Sequence, residues 1–174
     1  MHTTRILICL SLAATATCAQ AVDNSSLPEP VRVPDGHVQK TWSKGVGEVT
    51  YACRQKVDQP GSHSWIFVAP SATLFDGNKK PHGNYYGGPT WESSDGSKTT
   101  GTQVAIAPTT AGNLPLQLIK ATSTSSAGMF ANITYIQRLN TVGGAAPASP
   151  CDASNVGQEQ KVAYQADYIY YVAR

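Results

Sequence analysis

The sequence predicts an all-β fold, a single-domain β-sandwich or small β-barrel of mainly antiparallel strands. Three observations carry that prediction. Apolar and polar residues alternate in short runs, the period of a half-buried strand. Glycine, proline and Asp-Gly turn signals separate the runs. No segment after Ala21 carries an apolar 3.6-residue repeat with helix caps. The runs are enough for roughly seven to nine strands, with no internal repeat and no second domain.

Residues 22–34 are proline-spaced and aperiodic, which reads as an extended lead-in or a loosely held tail, and residues 35–174 form the β domain. Val49, Tyr51 and Cys53 alternate with Glu48, Thr50 and Ala52 as a half-buried strand. Residues 65–68 are a short apolar run, continued after Pro70 by residues 72–75 and ended by an Asp76-Gly77-Asn78 turn. Next comes NYYGGPTWESSDGSK, residues 84–98, where Gly87-Gly88-Pro89 confines the backbone just before Trp91. Trp91 is expected to pack inward and at least one of Tyr85 and Tyr86 to stay exposed.

Val104, Ile106 and residues 114–119 supply further strands. Ile133, Tyr135, Gln137 and Leu139 then share one face, with Asn132, Thr134, Ile136 and Arg138 on the other. The last strand sets Val162, Tyr164, Ala166, Tyr168, Tyr170 and Val172 on one face and the mixed set Ala163, Gln165, Asp167, Ile169 and Tyr171 on the other. Tyrosine and β-branched residues suit such a surface. Arg138, charged inside a β-patterned run, either faces solvent or is buried with an acid, and Asp167 is its best partner if the strands pair. A structural role is expected for it.

The first 21 residues read as a signal peptide. Arg5 is followed by a short apolar run and by Ala19-Gln20-Ala21, a small-x-small cleavage site. That run is shorter than the about 20 residues a membrane span needs, and no later stretch reaches that length. The expected location is therefore secreted or periplasmic, without a membrane span. Cleavage takes Arg5 from the 13 basic residues and leaves 12 against 11 acidic ones. With no basic cluster, nucleic acid is excluded as a partner class. Cys53 and Cys151 are the cysteines left, and in an oxidising compartment they are expected to form one disulfide.

Chemical motifs are sparse. His37, His63 and His82 are not at metal-ligand spacing, and His63 and His82 read as exposed turn residues. No Gly-x-Ser-x-Gly elbow occurs, and no lysine follows a serine at the Ser-x-x-Lys spacing. Glu92 and Asp95 stand on opposite faces of an extended segment and read as solvent-facing acids beside the Asp95-Gly96 turn. No catalytic residue, metal ligand or cofactor is assigned.

Five stretches in this order carry a resemblance: VTYAC (49–53), APSATLFD (69–76), GNYYGGPTWESSDGSK (83–98), YIQRLNTVGGAAP (135–147) with Cys151 after it, and YQADYIYY (164–171). Together they resemble an exported bacterial and fungal family known as domain of unknown function DUF3455. The resemblance implies one exported domain and brings no activity or catalytic residue with it. Family members often carry Gly-x-His-Tyr-x-Gly-Pro-x-Trp at the turn, where this chain has Tyr85 in the histidine's place. Gln117 interrupts a stretch that the family keeps more uniformly apolar, which implies that it faces outward.

The favoured reading is a non-catalytic binding module for a glycan or a protein, with Trp65, Tyr85, Tyr86 and Trp91 lining a shallow surface. A structural or surface component without a small ligand is the alternative. Less favoured is a metal-assisted hydrolase using His63, His82 and Asp167 or Asp95.

Overall fold

A computed structural model describes residues 21–174. The expected signal peptide and all but the last residue of its cleavage site lie outside the described residues. Eight strands follow one another: β1 (His37–Gln55), β2 (His63–Phe75), β3 (Pro81–Tyr86), β4 (Thr90–Ser93), β5 (Lys98–Ala107), β6 (Leu116–Ser123), β7 (Tyr135–Gly143) and β8 (Glu159–Ala173). Each pairs antiparallel with the next, and β8 pairs back onto β1, so the sheet closes into a barrel. Of the two architectures expected, the barrel is the one formed. Closure removes the unpaired edges that an open sheet would expose.

Alternation along the strands sorts the side chains into two apolar clusters. The interior cluster includes Val49, Tyr51, Leu74, Tyr85, Trp91, Ile119, Ile136, Tyr164, Tyr168 and Tyr170. The face of β8 beginning at Val162 is thus the inward one. Large and small residues alternate around the bore: a Cβ on Gly45 would stand 2.7 Å from the Tyr168 ring, so glycine there makes room for that ring.

The second cluster lies on the outside of β6, β7 and β8, where Leu118, Leu139, Ile169 and Tyr171 meet Val31 and Val33. Residues 22–34 therefore are not a loose tail. They form two short 3₁₀ turns, Asn24–Ser26 and Glu29–Val31, and Val31 is fully buried. Gln137 makes the join: its amide donates to the Val31 carbonyl (2.7 Å) and accepts from the Tyr171 hydroxyl (2.8 Å). A buried amide needs such partners. The mixed outer face of β8 reflects this cover.

The two ends of the barrel differ. At the base, the connection from β6 to β7 folds inward and places Phe130, fully buried, beside Tyr170 at 4.7 Å between ring centroids. At the other end the long β7–β8 connection is pinned by the Cys53–Cys151 disulfide, whose Cα atoms are 5.5 Å apart. The expected bridge is present. Tyr51 adds a hydroxyl bond to the Gly144 carbonyl (2.7 Å), and Cys53 exchanges backbone bonds with Gly157 and Gln158.

Candidate functional site

The pleat decides which of the predicted aromatic residues meet. Ala72, Tyr85, Trp91 and Thr99 lie in one cross-strand row of β2 to β5. Tyr85 and Trp91, opposite each other and inward, stack at 4.6 Å with planes 22° apart, and Tyr168 meets both. Trp91 is 1% exposed, as expected of an inward residue. Tyr86, next in β3, points outward, where its hydroxyl donates to Glu92 (2.7 Å) and Glu92 pairs with Lys98 (3.0 Å). Those two bonds, the Tyr86 one first, hold the Glu92 carboxyl below its ordinary range. Of the two tyrosines, Tyr86 is the one left partly open and Tyr85 is buried. Trp65 sits at the disulfide end, its indole N–H on the Ser149 carbonyl (2.8 Å). The four aromatic residues thus occupy three environments instead of one shared surface.

Tyr85 and Trp91 instead line a concave feature at the open end of the barrel, a cavity of about 500 Å³. Its floor and walls are Val49, Phe67, Tyr85, Trp91, Ile119, Tyr164 and Tyr168, with Pro89 and Pro115 at the rim. Gly88, at φ +83°, lets the β3–β4 turn fold beside the opening, a conformation that favours glycine. The β5–β6 connection is tied to β7, where Leu114 accepts from the Thr141 hydroxyl (2.5 Å) and its N–H donates to the Gly143 carbonyl (2.9 Å).

Polar groups enter this cavity along a second cross-strand row, Gln117–Arg138–Tyr168. Two expectations are corrected here. Gln117 faces into the mouth, not outward, and donates to Gln103 (2.7 Å). In β6 it is Leu116 and Leu118 that face out, because the lead-in gives the outer side an apolar cover. Arg138 also faces inward, half-buried, and its Nε and Nη2 donate to the Pro115 carbonyl (3.2 and 3.0 Å). Asp167 is not its partner, since β8 turns Asp167 outward to Lys44 (3.0 Å) and Asn140 (2.8 Å). Sequence reasoning did not select Phe67, Tyr164, Tyr168, Gln103 or Pro115. The one available signal was Arg138 itself, a charge inside a β-patterned run and in step with Ile136.

Burial raises the hydroxyl pKa of Tyr85, Tyr164 and Tyr168, with the Arg138 charge opposing it. These phenols stay neutral donors at physiological pH. Tyr164 and Tyr168 hydroxyls stand 3.2 Å apart.

The residues of the hydrolase reading are not assembled. Among the described residues, no three His, Cys, Asp or Glu side chains come together in a group able to hold a metal ion. His63 opens β2 beside the disulfide end. His82, expected in an exposed turn, instead has both ring nitrogens buried without a partner, and its ring lies 6.4 Å from that of Phe130. A register shift between Leu74 and Phe75 lies beside it. Asp95 is consumed in structure: it accepts from the Ser97 hydroxyl (2.6 Å) and N–H (2.8 Å) and from the Met129 N–H (2.8 Å). Those bonds, the Ser97 hydroxyl first, hold its carboxyl well below the usual range.

Fold and site define an eight-stranded up-and-down barrel, plugged at its base and open at its mouth to a mainly apolar cavity. The chain belongs to the DUF3455 family of proteins of unknown function, whose family model matches residues 34–172. Among curated proteins and solved structures, none matches the chain. No helix among the described residues is long and apolar enough to cross a membrane.

Proposed function

We propose that this protein is a non-catalytic, exported binding module that holds a small, largely apolar molecule in the mouth of its barrel. The observation that carries this reading is the cavity itself. Its volume of about 500 Å³ falls in the range of small-molecule sites, and an eight-stranded barrel is just wide enough to enclose one such ligand. Fold-level analogy adds only a prior; the lining is what argues for the ligand. A glycan, one of the partners expected from sequence, fits less well. The face of Trp91 that a sugar ring would stack on is already covered by Tyr85. The leader pattern and the Cys53–Cys151 bridge support export.

The test is equilibrium binding of a neutral apolar fluorophore, N-phenyl-naphthylamine. Saturable binding to one site is expected, lost in Gln117→Trp, which fills the mouth, and retained in Tyr86→Ala, which alters the outer wall. Binding that is not saturable, or that ignores the Gln117 substitution, would sink the proposal.

A further inference from the structure

We propose that the mouth selects an organic acid, a molecule with one carboxylate and an apolar body, and that Arg138 is the group that reads the carboxylate. The inference rests on the reading of the mouth as a binding site and specifies its ligand. Arg138 is the one charged side chain that lines the cavity, and no Asp or Glu lines it. The ion pairs among the described residues all use lysine, at Lys44, Lys98 and Lys161, so Arg138 has no carboxylate of its own. A half-buried cation without a counter-ion is costly, and an anion brought by a ligand offsets that cost.

The geometry favours a carboxylate in particular. The Pro115 carbonyl takes the Nε and Nη2 donors and so fixes the plane of the guanidinium. Of its five N–H donors three remain, and the Nη1/Nη2 edge presents the parallel pair that a carboxylate accepts. A single arginine with no lysine beside it matches one negative charge better than the two of a phosphate monoester. Flanking it in the same row are Gln117, with its amide partner Gln103, and Tyr168. Below lie Tyr85, Trp91, Val49 and Ile119, which would cover the apolar body. Phe67, 55% exposed although it lines the opening, gives that body a first contact at the rim.

Calorimetric titration at pH 7 with two matched pairs, naphthoate against naphthamide and dodecanoate against dodecanol, tests the inference. Within at least one pair the acid should bind about tenfold more tightly than its neutral partner, the scale of one charge-assisted contact. Arg138→Gln should erase that ratio by weakening the acid far more than its neutral partner; Arg138→Lys should restore part of it. The wild-type ratio alone decides the matter if the Gln variant fails to fold. Equal affinities within both pairs, or an equal loss for both members in Arg138→Gln, would overturn acid selection while leaving the binding module intact. Tighter binding of naphthyl phosphate than of naphthoate would overturn the choice of carboxylate. If none of the four compounds binds, the mouth is not a binding site and the proposed function falls as well.

Discussion

The base and the mouth of this barrel are built from the same strands, yet they use their polar groups in opposite ways. At the base, Asp95 accepts from Ser97 and Met129, and the Ser97 hydroxyl accepts from the Phe130 N–H (3.0 Å). The Ser123 hydroxyl donates to the Phe130 carbonyl (2.7 Å), and Lys40 closes on the Ala131 carbonyl (2.8 Å). Asp95, Ser97, Ser123 and Lys40 thus spend their bonds on holding the plug in place, although the His82 ring nitrogens and the Tyr170 hydroxyl beside Phe130 are buried without a partner. At the mouth, three donors of Arg138 are unspent beside an open cavity. Bonds spent on a plug serve stability, whereas leftover donors in a concave apolar setting are what the proposed ligand would use.

This contrast concerns polar groups, and it fails if polar substitutions at the two ends behave alike. The largest effect belongs to the packed aromatic residues. Phe130→Ala should lower unfolding free energy by about 3–5 kcal/mol in denaturant melts, and Trp91→Ala by a similar amount, as deletion of buried aromatic rings does. A Trp91→Ala variant that melts like wild type would show that Trp91 is not part of the core.

Next comes the staple at the mouth. Replacing both Cys53 and Cys151 by alanine should cost about 2–5 kcal/mol, because the bridge spans a sequence separation of 98 and constrains the unfolded chain. Mass spectrometry of the non-reduced protein should show the bridge, and two free thiols would refute it.

The acid limb of stability should come in part from the base. The Asp95 carboxyl has a folded pKa below its unfolded value, so its contribution is fully present above about pH 4 and is lost as pH falls through the folded pKa. Asp95→Ala should cost about 1 kcal/mol at pH 7, since Asp95 is solvent-exposed and screened, and should flatten the acid decline. Parallel acid-unfolding curves for variant and wild type would contradict this.

The smallest effects are expected outside the core. Tyr86→Phe removes one half-buried hydroxyl bond to Glu92 on the outer wall, and Gln117→Leu removes one amide contact at the rim. Each should change stability by no more than about 0.5 kcal/mol. A drop of 2 kcal/mol, roughly the scale of a buried loss, in Gln117→Leu would make the mouth a structural element like the base.

Much of the architecture was legible along the chain. The β class, the bridge, the inward face of β8 and the inward Trp91 all follow from local pattern: alternation fixes two faces, and turn residues fix where each run stops. The division of β7 into Tyr135, Gln137 and Leu139 against Ile136 and Arg138 is also present in the fold, although Ile133 joins the interior cluster. Asn132, at φ +59° just before it, breaks the alternation there.

What alternation alone leaves undecided is which face is inside where neither is plainly the more apolar, as in β6 and β7, and whether the outer face meets water. That depends on closure of β8 onto β1, on the register shifts within the strand pairs, and on a lead-in that covers β6 to β8. Arg138 and Gln117 face the cavity, and Asp167 faces away from it, because of contacts between residues far apart in sequence. The His82 ring turns its nitrogens inward on the side of Phe130 for the same reason. The sequence by itself determined the strands, the turns and the covalent staple, since these arise from short-range preferences and from the count of cysteines. Only the tertiary structure decided the cavity and its single cation, because a bore exists only once eight strands close, and closure is what gives each strand an inside.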